Sequence, residues 1–222
     1  MTTTTERPAR RGFTLRDALR EFLRHPSPWM IGTVVIGALT ARVLVGDWQP
    51  TDALVPLIML AVFPFFEWVV HVFILHWRPK KIGNLTIDPL LARDHRRHHV
   101  DPREVPLIFI PWRALIWVIA VAVAVALVAF PRLGMGLTFL TLIGVFGLGY
   151  EWCHYLIHSD YKPKTRLYRA IWRNHRQHHF KNEHYWFTVT SSGTADCVLG
   201  TYPDPASVQT SPTAKNLHAI EV

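Results

Sequence analysis

Four long apolar stretches alternate with strongly basic ones along the chain. Residues 29–46 are uncharged except for Arg42 near the end, and residues 53–75 carry Glu67 and His71 as their only ionisable groups. Residues 107–130 include a wholly uncharged segment from 118 onward, and residues 133–157 carry Glu151 and His154. Each stretch is close to the roughly 20 apolar residues that a helix needs to cross the hydrocarbon core. The first and second are joined by a short acidic turn, Asp47 to Asp52, and the third and fourth by Pro131-Arg132. Links this short predict two helical hairpins. The fold class expected is therefore an all-α integral membrane protein with four transmembrane helices. Arg42 is expected to snorkel toward the interface.

Charge refines this picture. The net charge of +8 could suggest a nucleic-acid partner, but the basic residues occupy the segments between apolar runs. Six Lys and Arg precede residue 29, seven lie between 77 and 106, and eight follow His158, whereas the two short links hold only Arg132. The positive-inside rule places all three basic segments, and both termini, in the cytoplasm of a multi-pass protein. No nucleic acid is expected. Residues 1–12 are polar and basic and read as disordered. Residues 13–25 read as an amphipathic helix, with Leu15, Leu19, Phe22 and Leu23 on one face and Arg16, Arg20 and Arg24 on another; Thr14 and Asp17 can form its capping box. Such a helix either packs on the domain or lies among anionic headgroups, the reading favoured by the membrane run that follows. The expected organisation is a basic tail with interfacial helix over 1–28, a membrane domain over 29–204 and a C-terminal tail over 205–222, the last dozen residues of which read as weakly ordered. Cys153 and Cys197 form no CxxC pattern and no disulfide framework.

Thirteen histidines complete the pattern, and ten of them fall into four clusters. Asn174-His175-Arg176-Gln177-His178-His179 repeats the spacing of Asp94-His95-Arg96-Arg97-His98-His99, and His71/His76 and His154/His158 lie at the ends of apolar runs. Imidazole is the commonest metal ligand. His154 and His158 project together on a helix, about 40° apart, whereas His71 and His76 stand about 140° apart on an ideal one. That pair can meet at one ion only if the helix ends or bulges there; otherwise each feeds a different ion. Ten imidazoles suit two ions with about five nitrogens each. So many nitrogens per ion argue against structural zinc, but imidazole alone does not choose among iron, copper, nickel and zinc. Topology gathers all ten on the cytoplasmic side, so a cytoplasmic helical cap carrying a histidine-rich dinuclear site is expected.

Carboxylates flank these clusters. Glu67 lies one turn before His71, and Glu151 three residues before His154. Both are candidates to accept the outer N–H of a ligating histidine, as are Asp94, Asn174 and Asp160. Glu151-x-x-His154 also has the spacing of a ferritin-like ligand pair. His184, in His184-Tyr185-Trp186-Phe187, either supports the site at the substrate mouth or belongs to an interfacial aromatic belt. His25 and His218 read as ordinary surface residues.

The motifs His71-Val-Phe-Ile-Leu-His76, His95-Arg-Arg-His98-His99, Tyr150-Glu-Trp-Cys-His154-Tyr-Leu-Ile-His158 and His175-Arg-Gln-His178-His179 closely resemble those of the fatty acid hydroxylase and sterol desaturase superfamily. These are integral-membrane di-iron oxygenases, and the resemblance covers roughly residues 67–204. The stretches from Val100 to Pro111 and from His179 to Ser192 are most similar to the fatty acid 2-hydroxylase side. Ala195-Asp196 stands where that group often has Trp-Asp, and the chain has no N-terminal cytochrome b5 domain. The resemblance implies two iron ions, which zinc could replace in a purified sample. It implies that His71, His95, His98, His154 and His175 hold one ion and His76, His99, His158, His178 and His179 the other.

The function expected is O2-dependent hydroxylation of a lipid C–H bond, on the acyl chain of a fatty acid or acyl lipid near its carboxyl end. The partners are the membrane, dioxygen and a separate electron donor, either a ferredoxin or a cytochrome b5-like protein with its reductase. A sterol or carotenoid desaturase or hydroxylase of the same superfamily is the neighbouring alternative. A haem electron-transfer protein would need isolated axial histidines, and a metal transporter would place its ligands near the midplane.

Overall fold

A computed structural model describes residues 13–220; the polar stretch 1–12, read as disordered, lies outside them. Helix α1 (Leu15–Phe22) starts at the capping box of Thr14 and Asp17. It docks through Ala18 and Phe22, whose ring meets Trp152 edge-on at 5.1 Å. Leu15, Leu19 and Leu23 remain exposed beside Arg16 and Arg20. The helix is thus packed on the domain by one face and open along its leucines.

Four segments are long and apolar enough to cross a membrane: Pro26–Val45, Pro50–Leu75, Val105–Val128 and Leu133–His158. The first is α2 (Pro26–Val45), which begins at a proline pre-set for the first helical turn and ends at Gly46 in the left-handed region. The second contains α3 (Leu54–Val69) and a π-helical turn, Val70–Leu75. The third is broken. A short α5 (Val105–Ile108) is separated from α6 (Trp112–Val128) by an extended step through Phe109 and Pro111. The fourth is the unbroken α7 (Leu133–His158). Leu57, Leu60, Val121 and Val128 are among the large apolar side chains left open on their outer faces, as lipid contact requires.

Small residues let the spans approach closely. A Cβ on Gly136 of α7 would run into the backbone of Ala126 on α6, and one on Gly144 would meet Val35 of α2 at 2.6 Å. Such contacts are how helices associate where lipid removes the hydrophobic drive. At the end where both hairpins turn, Arg42 does not snorkel. It is buried and donates to Asp47 at 2.8 Å, to Asp52 at 2.6 Å and to Thr138 at 3.1 Å. Arg132 reaches the same two aspartates, donating to the Asp47 carbonyl and the Asp52 carboxylate. The acidic turn of one hairpin thereby neutralises a cation of each hairpin, which explains why Arg42 need not seek water.

At the opposite end lies the cap. It contains α4 (Leu90–Val100), α8 (Arg166–Phe180) and α9 (Thr194–Val198). It also contains a two-stranded antiparallel hairpin, β1 (Lys80–Ile82) and β2 (Leu85–Ile87), with Lys80 opposite Ile87, which the all-α expectation lacked. The buried Arg96 anchors it, donating to both oxygens of Asp88 at 2.8 and 2.7 Å and to the Trp77 carbonyl. The C-terminal tail, whose last dozen residues read as weakly ordered, folds back instead as far as the described residues reach. Leu217 and Ala214 are buried, and the Ser211 amide donates to the Lys181 carbonyl at 2.7 Å.

The close α6–α7 approach gives a direct test. Gly136→Ala forces a methyl into backbone, which is expected to cost about 1–3 kcal/mol and to lower the unfolding midpoint in detergent. Gly149→Ala, whose Cβ would meet nothing within 4 Å, should leave the midpoint unchanged or slightly raised.

Candidate metal centre

All ten clustered histidines meet where the cap closes over α3 and α7. Their ligand-capable nitrogens form two groups of five, each within 4.8 Å: His71, His76, His95, His99 and His178; and His98, His154, His158, His175 and His179. Nine of the ten are buried and His76 is half-buried. The groups adjoin, the rings of His99 and His179 stacking at 4.1 Å.

Local backbone geometry produces each contribution. His71 and His76 lie five apart, which an α-helix would splay. The π turn closes an i→i+5 hydrogen bond, from the His76 amide to the His71 carbonyl at 3.0 Å, and brings the rings to 4.9 Å. Of the two alternatives the spacing left open, the bulge is the one present, and the pair belongs to one group. On α4, His95 and His99 share a face and His98 points to the other group. On α8, His175 and His179 share a face and His178 crosses over. Each group is thus four imidazoles from one half of the chain and one from the other. This corrects the division implied by the resemblance, which would separate His71 from His76 across the π turn, and His95 from His99, His154 from His158 and His175 from His179. Each of those i, i+4 pairs lies only about 40° apart on its helix and stays together.

The rings are prepared for a cation. His99 Nδ1 lies 2.8 Å from the Ala214 carbonyl, His154 Nδ1 2.8 Å from Ile108 and His178 Nδ1 2.8 Å from Tyr185. A neutral imidazole donating there presents its Nε2 lone pair inward, the orientation that an outer hydrogen bond imposes on metal ligands. Inside each group the Nε2 atoms crowd together: His95–His99, His76–His178 and His98–His158 at 3.2 Å, and His175–His179 at 3.0 Å. Nε2 of His154 and Nδ1 of His98, His175 and His179 are buried with no hydrogen-bond partner among the described residues. Buried polar atoms are rarely left so. Converging nitrogens with no carboxylate among them fit a metal ion in each group.

Electrostatics keep the cap histidines neutral. His95, His98, His99, His175 and His179 are held well below the usual imidazole range, first by burial and next by the charge a protonated neighbour would carry. Burial brings His178 down to about 4, against the Tyr185 carbonyl, which favours the proton. Lone pairs are therefore available for coordination at neutral pH.

The flanking carboxylates do something other than orient histidines. Glu67 accepts from the amides of Val189 and Thr190, both at 2.8 Å, and from the Thr190 hydroxyl. Glu151 accepts from Ser27 at 2.7 Å and from the Ile110 amide at 2.8 Å. Neither joins a nitrogen group. The α5–α6 break explains Glu151: it frees the Ile110 amide for Glu151 and the Ile108 carbonyl for His154, one turn apart on α7. Asn174 accepts from the Tyr202 hydroxyl at 3.1 Å and donates to the Ser192 carbonyl. Asp94 and Asp160 lie in loose ion pairs with Arg97 and Arg103. The His184 side chain is 70% exposed beside Glu183, away from the nitrogens.

Several contributors were not foreseen. Asp196 is fully buried and accepts from the Phe187 and Thr188 amides and from the Thr188 and Thr201 hydroxyls, fixing the loop behind His178. Its place in Ala195-Asp196 was its only signal. Glu183 takes the Ser211 and Thr213 hydroxyls, holding the folded-back tail that delivers the Ala214 carbonyl. His218 is no ordinary surface residue, since it contacts the His76 carbonyl at 2.9 Å. His25 likewise stacks on Phe109 at 3.9 Å.

An apolar cavity of about 310 Å³ runs between the spans and ends on His71. Its wall includes Ile31, Phe63, Val118, Ala122, Leu140 and Gly144, with Glu67 and Tyr150 beside His71.

The brace role of Glu67 separates from a ligand role experimentally. Glu67→Ala strands two buried amides, each costing about 1–3 kcal/mol, so thermal stability should fall while metal per folded chain stays at the wild-type value. Loss of one metal equivalent without loss of stability would make Glu67 a ligand.

Comparison with known proteins agrees with this geometry. The fatty acid hydroxylase family matches residues 56–201, two thirds of the chain and all four histidine clusters. The chain is 28% identical over 185 residues to the dihydroceramide fatty acyl 2-hydroxylase FAH1 of Arabidopsis thaliana, covering 80% of this chain and 72% of that protein. It is 27% identical over 188 residues to FAH2 of the same plant, covering 82% and 76%. Its fold matches full-length Scs7p, of which only the hydroxylase domain is visible, with a TM-score of 0.66 at 23% identity over 83% of this chain and 68% of that one; this last likeness concerns the fold. With the match to the family spanning three of the four apolar segments and all four histidine clusters, the chain belongs to the fatty acid hydroxylase family and is an oxidoreductase.

Proposed function

We propose that this enzyme hydroxylates the acyl chain of a fatty acid or acyl lipid near its carboxyl end, and that the ten histidines hold two iron ions for the purpose. The observation that carries the reading is the apolar cavity between the spans ending on His71. An acyl chain can lie in the cavity with its polar end toward the cap. The dihydroceramide fatty acyl 2-hydroxylases act, by name, at the carbon next to the carboxyl, and that carbon would then stand nearest the imidazoles.

The reaction balances as R–H + O2 + 2 e⁻ + 2 H⁺ → R–OH + H2O. Iron held by the two nitrogen groups would supply the activation of dioxygen. The protein's own residues do the rest. Ala214, Ile108 and Tyr185 fix the rings through their carbonyls. Glu67 and Glu151 lock the cap loop and the α5–α6 break onto the span ends. The apolar wall excludes water and aligns the chain. Histidines at one end of the spans, rather than at their midplane, disfavour a transporter. The distribution of Lys and Arg supports a cytoplasmic cap with both termini on that side.

The test is reconstitution with acyl lipid, O2 and a reductant. The product should gain one oxygen, adjacent to the carboxyl, and the purified enzyme should carry two irons per chain. His98→Ala and His178→Ala each remove the ring that crosses between halves, and each should abolish turnover and lower metal content. A product lighter by two hydrogens would replace hydroxylation with desaturation. Full turnover by either variant would overturn the scheme.

A further inference from the structure

Helix α8 has two unlike faces. His175 and His179 meet His154 and His158 at the end of α7, with ring separations of 4.6 to 5.1 Å among them. Ile171 is buried with Ile157 on the same side. At 100° per residue, Arg166, Arg169 and Arg173 fall 120–180° from His175. All three are exposed, and none has a carboxylate partner among the described residues. Because the histidine face of α8 looks into the mouth of the bundle, the arginine face looks away from the membrane spans.

Beside this stripe lies a cavity of about 210 Å³ lined by Arg173, Gln177 and Trp186 among others. The indole of Trp186 is buried, and its N–H has no acceptor in the protein. Trp186 also adopts a positive φ of 55°, uncommon for a bulky residue. Its two chain neighbours both touch the site. The Tyr185 carbonyl is 2.8 Å from His178 Nδ1, and the Phe187 ring lies 5.3 Å from that of His178. A surface cavity and a metal-facing imidazole are thus joined through three consecutive residues.

We propose that the outward face of α8 is the docking surface for an acidic one-electron carrier protein, which delivers electrons beside Trp186. This rests on the hydroxylase reading, whose balance requires two electrons per product; the carrier is oxidised by one electron on each of two visits, and water takes the second oxygen atom. Three exposed guanidinium groups without a carboxylate partner among the described residues, of which Arg169 donates only to the Lys164 carbonyl, match carboxylates on a partner. An anionic lipid surface is the competing occupant, and the orientation of the stripe away from the spans disfavours it.

The test uses the full chain in neutral phosphatidylcholine nanodiscs, with acyl substrate and O2. The probe is a pre-reduced acidic [2Fe–2S] ferredoxin, either native or with its carboxylates amidated. Native ferredoxin should be reoxidised about tenfold faster or more at low salt, the advantage falling as salt rises. Replacing Arg166, Arg169 and Arg173 together by Glu should remove that advantage while leaving dithionite-driven product formation unchanged. Equal rates with both ferredoxins, an unaffected triple variant, or a variant that loses only binding to anionic vesicles would each overturn the docking surface. Absence of oxygenated product from the wild type under dithionite would instead overturn the hydroxylase reading.

Discussion

Everything in this molecule answers to one constraint: ten imidazoles, all needed neutral, must converge in a desolvated space without a single carboxylate among them. Nothing in the protein alone rewards that. Burial strips water from the rings, and crowded nitrogens at 3.0–3.2 Å compete for few protons. Outer partners help hold rings in place, and for His99, His154 and His178 the fold supplies them as backbone carbonyls. That choice shapes the chain. The α5–α6 break exposes Ile108, the loop behind α8 exposes Tyr185, and the folded-back C-terminal segment exposes Ala214. A carbonyl accepts the outer proton without adding charge to the nitrogen group.

The carboxylates then act one step further out. Glu67, Glu151, Asp196 and Glu183 hold the segments that carry those carbonyls or the rings themselves. Each accepts two or more hydrogen bonds, and none of their bonds goes to a histidine. Spacing drew attention to Glu67 and Glu151, and rightly, because an ionisable residue within a span must have a use. Spacing could not show which way a side chain turns. On α7, Glu151 and His154 face the same irregular backbone and engage opposite ends of it: the glutamate takes the Ile110 amide and the histidine meets the Ile108 carbonyl.

What was legible in the sequence follows from periodicity and from residue type. Four spans, two hairpins and the membership of the histidine clusters depend on runs and spacings that no packing detail can undo. The π turn was legible only as one of two alternatives, since a spacing of five allows either a bulge that joins His71 to His76 or a helix that sends them to different ions. What stayed hidden depends on contacts between distant segments. Arg42 looked like a snorkelling residue because Asp52 and the neighbouring hairpin are invisible in a local window. The tail looked loose because its Ser, Thr and Pro content is that of a linker, although Leu217 and Ala214 are buried. The crossing of His98 and His178 between groups follows from helix geometry alone, once i, i+4 pairs are kept together.

The two ends of the bundle are closed by different chemistry, and this governs how a substrate can enter. At the hairpin turns, Arg42 and Arg132 share Asp47 and Asp52, so the two hairpins are joined by ion pairs rather than by chain. At the other end, each group of nitrogens draws one histidine from the opposite half, so any ion bound there joins the halves again. An axial route to the apolar cavity would have to part the ion pairs at one end or the crossed histidines at the other. The remaining freedom lies between the spans, whose outer faces are apolar and whose contacts rest on small residues such as Gly136 and Gly144. A lipid chain meets no polar barrier on that route, whereas a charged or water-soluble substrate would have to cross hydrocarbon. The architecture therefore selects for substrates already dissolved in the membrane, before any residue of the site has touched them.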